Sequence, residues 1–174
     1  MTTFAAPRCF RFHDPGTPLA YGRLLRAAPR TGRCPIWLTS RALASSPGWE
    51  PVPLDPRPGL LHEGVIAAAA AWAENTAWRS HLAVGAATRP ADLVAALGWT
   101  GVPDPARFSA LLRGWEELYG AVLVELDAEA GVLAVAEPPR SGREVEGLAG
   151  VEVRAEGPVW RFGPEPVMGV EQGA

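Results

Sequence analysis

The sequence predicts a single α+β domain: a small, mainly antiparallel sheet packed against a central amphipathic helix and shorter helices. Three observations lead there. Residues 104–120 carry the apolar spacing and both end signals of one helix. The chain switches to an alternating pattern directly after it, and 174 residues suffice to bury one core without room for a second full domain.

In the helix, Phe108, Leu111, Leu112, Trp115, Leu118 and Tyr119 recur at the spacing of one stripe of a 3.6-residue period. The expected opposite face is Arg107, Ser109, Arg113, Glu116 and Glu117, with Arg113 and Glu117 paired one turn apart. Asp104 can cap the first amides. Pro105 suits the first helical position, where a missing N–H has no partner, and Gly120 can take the left-handed turn that ends a helix.

Taking the chain in order, residues 9–13 alternate as a short half-buried strand, and Asp14-Pro15-Gly16 turns it. Thr17 and Pro18 open a helix carrying Tyr21, Leu24, Leu25 and Ala28, which Pro29 to Gly32 should break. Ile36-Trp37-Leu38 is a buried strand between breakers. Residues 45–59 hold five prolines, which forbid helix and disfavour a central strand, so the segment is expected to be a stiff extended surface connection. From Leu60 to about Asn75 runs an alanine-rich helix, with Ile66, Ala69, Ala70 and Ala73 on one line and Trp72 and Trp78 supplying bulk.

A junction follows, and then Pro90 opens a short helix with Leu93, Val94 and Leu97 inward and Gly98 closing it. After Gly120, Val122 to Leu126 and Val132 to Ala136 make a β-hairpin, apolar on both faces, with Gly131 expected at a positive φ. Ser141 to Glu144 is a capping box, and Val151 to Glu156 and Val159 to Phe162 are a second strand pair. The single domain is thus expected over 1–162, with 163–174 a flexible tail rich in glycine and polar residues.

Charge and composition narrow the partners. A net charge of −3, a pI near 5.6 and the lack of any basic block argue against nucleic acid. All the positive charge is arginine, since the chain contains no lysine. Cys9 and Cys34 are too few for a disulfide framework, which suits reduced thiols in a cytoplasmic protein. The most apolar run, Val65 to Ala73, falls short of the roughly 20 residues a bilayer demands, so no membrane is expected.

Gly98 followed by Trp99, the run Leu112-Arg113-Gly114-Trp115-Glu116-Glu117-Leu118-Tyr119-Gly120-Ala121 and the strand end Val135-Ala136-Glu137-Pro138-Pro139 resemble the bacterial family called domain of unknown function 4253. Thr31 to Leu38 is similar to an upstream segment of many members. The resemblance covers mainly Leu93 to Pro139 and implies a compact α+β domain of bacterial, often actinobacterial, origin. Members usually continue with an alanine-rich helix and a segment holding a histidine and a cysteine. Here Val145 to Arg154 contains neither, so no catalytic residue is carried over.

The residues themselves offer little chemistry. His13, His62 and His81 lie far apart and lack the i, i+4 spacing of a helical metal site, so neither a metal nor a cofactor is expected. No phosphate loop, dinucleotide fingerprint or Gly-x-Ser-x-Gly elbow occurs, and without lysine there is no Schiff-base chemistry. Glu116 and Glu117 point about 100° apart on a helix and are expected to be solvated. Cys9 and Cys34 are expected to be buried structural thiols.

One constellation stands out: Trp78, Arg79 and His81 set an aromatic ring, a cation and an imidazole in one junction, where they can bind a partner. The alternative is a packed Trp78 with solvated neighbours. The expected function is a non-enzymatic protein-binding or accessory module of immunity-like kind, with another protein as partner. The competing expectation is a small hydrolase or ligand-binding enzyme whose site has no linear motif. A deep pocket holding two perturbed titratable groups would favour the enzyme.

Overall fold

The computed structural model describes residues 8–10, 17–55, 57, 59, 61–76, 80–139 and 151–164. Seven strands form one sheet. They are β1 (Arg8–Phe10), β2 (Cys34–Leu38), β3 (His81–Gly85), β4 (Ala121–Leu126), β5 (Gly131–Val135), β6 (Val151–Glu156) and β7 (Val159–Pro164), in the order β1-β3-β2-β4-β5-β7-β6. Every pair is antiparallel except β2 with β4. The helices are α1 (Thr17–Thr31), α2 (Ser40–Ser45), α3 (Glu63–Thr76), α4 (Leu93–Leu97) and α5 (Pro105–Tyr119).

Register shows which helix covers which face, because residues paired across strands share a face. Leu38 pairs with Leu126, Leu126 with Gly131 and Gly131 with Phe162. The Phe162 ring lies 5.0 Å from that of Phe108 on α5, so Leu38 belongs to the α5 face. Its neighbour Trp37 must point the other way, and its ring lies 5.9 Å from that of Tyr21 on α1. α3 packs beside α1, and α4 beside α5. The sheet is therefore sandwiched between two helical layers, which explains why β2 and β5 are buried at every residue.

α5 keeps both expected ends. Asp104 accepts from the Arg107 amide at 3.0 Å, and Gly120 closes the helix at φ 58°. Phe108, Leu112 and Trp115 are buried, and Trp115 and Tyr119 meet the Trp160 ring at 6.0 and 5.5 Å. Such aromatic pairs contribute about 0.5–1.5 kcal/mol each beyond their area. The expected faces need correction, however. Leu118 is 69% exposed, while Ser109 and Glu116 are buried, because the short turn and helix before α5 cover a flank that the sequence pattern leaves to solvent.

Other departures have local causes. The segment between α3 and the Pro90 turn is not only a junction. It contains β3, which pairs along all five residues with β2 and through Leu82 to Val84 with β1, and makes the sheet wider than expected. α1 runs through Pro29 to Thr31, because a proline in the last turn forfeits one hydrogen bond and the helix ends instead at Gly32, φ 64°. Gly131 does not have a positive φ; a side chain there would strike the Phe162 ring. β7 continues through Gly163 and Pro164, past the expected start of the tail. The predicted turn at Asp14 to Gly16 and the capping box at Ser141 to Glu144 lie outside the described residues.

Candidate functional site

The described residues 49–55 of the proline-rich segment are anchored against α4. A 3-10 turn at Ser46–Gly48, led into by α2, is followed by the buried Trp49. The Glu50 backbone lies where any side chain on Gly98 would go, so that glycine serves the crossing as well as ending α4 at φ 67°. Val52 N then donates to Ala95 O at 2.8 Å, and Arg113 Nη2 donates to Asp55 O at 2.9 Å. Gly59 is buried against the Arg89 side chain, and a Cβ there would lie 2.8 Å from Arg89 Nε. The strap cannot join the sheet, since proline lacks the donor, and so it spans from one tether to the next.

Beneath the strap lies a cleft of about 470 Å³, a size suited to a small ligand or one or two side chains. Pro51, Val52, Pro53 and Leu54 form one wall; Ala86, Ala87, Thr88, Asp92, Ala96 and Gly32 form the others. The lining is mainly apolar. Asp92 is its only titratable side chain, and Arg113 Nε donates to Asp92 Oδ1 at 2.6 Å.

Behind the cleft, Arg89 and Glu116 make a buried ion pair, their side chains 3% and 4% exposed. Arg89 approaches Glu116 Oε1 through Nε at 2.9 Å and Nη2 at 2.8 Å, and the Ala91 amide donates to Oε2 at 3.3 Å. Arg89 Nη2 also reaches the exposed Glu117 at 3.2 Å. Burial pushes the Glu116 carboxyl up to about 7, a shift that Arg89 and the Ala91 hydrogen bond only partly oppose. The expected solvated Glu116 is thus wrong, and Arg113 pairs with Asp92, with Glu117 turned to Arg89. The cause is again the Pro90–Asp92 turn, which sits against α5 and closes that flank.

A second polar group lies at the far end of the sheet, where β2 and β4 finish side by side and β3 begins. Leu38 pairs with both His81 and Leu126, which brings Thr39, Ser40, His81 and Asp127 to one edge. Ser40 Oγ lies 3.2 Å from His81 Nε2. Thr39 donates its hydroxyl to Asp127 and accepts from the Ala42 amide at 3.2 Å, and Arg41 Nη1 donates to Asp127 Oδ2 at 3.2 Å. Ser80 donates to Glu125, whose carboxyl burial pushes up and that hydrogen bond draws back.

Of the three residues expected to bind, the structure places only His81, at the start of β3 against Ser40; Trp78 and Arg79 lie outside the described residues. Cys34 is free and fully buried, and burial raises its thiol well above the usual range. Among the described residues no helix is long and apolar enough to cross a membrane.

Residues 81–155 match the family described as Domain of unknown function (DUF4253). The DUF4253 segment contains the span Leu93 to Pro139 on which the resemblance chiefly rests, and leaves out Thr31 to Leu38. It supplies Arg89, Asp92, Arg113 and Glu116, hence both ion pairs behind the cleft. The strap residues Pro51 to Leu54 and the Thr39 to Arg41 corner lie outside it, so each polar region joins DUF4253 residues to others of this chain. No curated protein and no solved structure matches the chain.

Proposed function

We propose that this protein is a non-enzymatic binding module, an accessory protein of immunity-like kind in the bacterial cytoplasm, and that the cleft beneath the strap receives part of a protein partner. α5 is in this reading the central helix, burying aromatic rings on one side and holding Asp92 and Arg89 on the other. The observation that carries it is the chemistry of the cleft lining. Apolar walls surround one carboxylate that is already ion-paired, and the lining includes no thiol, imidazole or second titratable group to move a proton.

A second reading, a small hydrolase, has one observation in its favour: Ser40 and His81 stand at hydrogen-bond distance where parallel strands end, a common place for reactive groups. One pair of measurements separates the two. Titration with small apolar alcohols, followed through backbone amide shifts, should perturb Val52, Leu54, Ala87 and Ala96 saturably. A fluorophosphonate probe should leave Ser40 unmodified. Labelling of Ser40 with silent cleft amides would reverse the assignment.

A further inference from the structure

We propose that β6 is a docking edge for a second copy of this chain, the two β6 strands pairing antiparallel about a two-fold axis at Val153 so that one sheet runs through both copies. β6 ends the sheet and, among the described residues, pairs only with β7, in a register unbroken from Val151 to Glu156. Neither a proline nor a bulge interrupts it, and such interruptions are what commonly keep an edge from pairing. β1, at the opposite end of the sheet, spans only three residues.

The hydrogen-bond pattern shows what the edge offers. The Val135 amide donates to Pro158 O at 2.8 Å, so even-numbered residues of β7 bond to β5 and odd-numbered ones to β6. Since Val159 pairs with Glu156 and Arg161 with Arg154, the amides and carbonyls of Val151, Val153 and Ala155 point to the open side. A copy docked about Val153 meets all three: Val153 exchanges hydrogen bonds with the partner's Val153, and Val151 with the partner's Ala155.

Charge then chooses the register and the occupant. Val153 shares a face with Phe162, under α5, so Glu152 and Arg154 stand on the other face. Centred on Val153, each Glu152 lies opposite the partner's Arg154, which makes two pairs of opposite charge. Centring on Glu152 or on Arg154 would set that residue against its own copy, and centring on Ala155 would run the ladder into the turn at Gly157, φ 58°. Two-fold symmetry supplies the complementary order of charges without any other partner. α5 adds a second reason. Its Ser109 and Glu116 face the α4 side, which lies toward β2 and β3, so the half-buried Leu111 and the 69% exposed Leu118 stand on the flank toward β6. A copy at this edge brings the same apolar flank of its own α5 to face them.

The test uses the full chain, by sedimentation velocity from micromolar to millimolar concentration and by amide hydrogen exchange over the same range. Mass should rise from 18.4 kDa toward twice that value, and exchange of the Val153 amide should slow as it does. Glu152→Arg and Arg154→Glu should each weaken the dimer about tenfold, because each turns two attractive pairs into repulsive ones. Within one chain Glu152 lies opposite Gly163 and Arg154 opposite Arg161, so neither change opposes like charges across β6 and β7. An equimolar mixture of the two variants should pair again, since the charges of one then complement those of the other. If a variant does not fold, the protection of the Val153 amide in the native chain decides alone. A chain that stays monomeric throughout would overturn the proposal, as would a dimer in which the Val153 amide exchanges as fast as in the monomer. The pairing uses no residue of the cleft, so its failure leaves the binding reading untouched.

Discussion

The cleft and the sheet end use polar groups in opposite ways. Behind the cleft, Arg89 and Glu116 are sealed from water; Glu116 holds the turn at the Ala91 amide, and Gly59 of the strap packs against Arg89. At the sheet end, Ser40, Arg41 and Asp127 pair in the open, where water competes for each bond. Buried charge is costly to strand and exposed charge is not. The first region is therefore built as a rigid wall, and the second can lose a partner with little effect on the fold.

The sharpest way to break this comparison is to remove one charge from each region. Glu116→Ala leaves the buried Arg89 guanidinium with only the exposed Glu117 and should lower the unfolding free energy by about 3 kcal/mol, measured by urea denaturation at a pH where Glu116 is ionised. Arg41→Ala removes an exposed partner of Asp127 and should cost no more than about 0.5 kcal/mol. Similar losses would mean that the two regions do not differ as described.

A smaller effect is the pH dependence. The Glu116 carboxyl releases its proton near 4.5 when unfolded and at about 7 when folded, so the folded state holds the proton more tightly between them. Its contribution is fully present below the unfolded value and is lost as pH rises through about 7. The partly buried Glu125, its carboxyl also raised, adds in the same direction at the sheet end. Thermal midpoints should fall between about pH 5 and pH 8, and Glu116→Gln should flatten most of that slope. A slope unchanged in this variant would place its origin elsewhere.

Smallest of all should be Ser40→Ala, with a shift in thermal midpoint within error, because the hydroxyl it removes is exposed. A loss comparable to that of Glu116→Ala would show the sheet end to be structural after all.

Much of the fold was legible because local chemistry and packing agree there. The Asp104 cap, the Gly98 and Gly120 ends and the hairpin after α5 each depend on a few neighbouring residues. β3 was not legible. His81 to Gly85 is short, and its strand character comes from partners far away in sequence. Of the candidate site, the strap was visible as five prolines, but its role depends on Val52 and Asp55 finding a hydrogen-bond acceptor and donor across the fold and on Gly59 packing against Arg89. Glu116 looked solvated because helical periodicity describes one partner surface, and here the Pro90–Asp92 turn provides a second. Arg89 before Pro90 carried a weak signal, a lone charge at a helix start, with nothing to say that it would be buried.

If the cleft is where recognition occurs, filling it should remove binding and spare the fold. Ala96 lies half-buried on α4 in the cleft lining, and Ala96→Leu adds bulk there while leaving Asp92, Arg113 and Glu116 unsubstituted. The affinity of a small apolar alcohol such as n-pentanol for this variant, read from the Val52 and Ala87 amide shifts with the thermal midpoint as control, is the direct measurement. An unchanged midpoint with affinity reduced at least tenfold is the predicted result; undiminished affinity in a folded variant would contradict it.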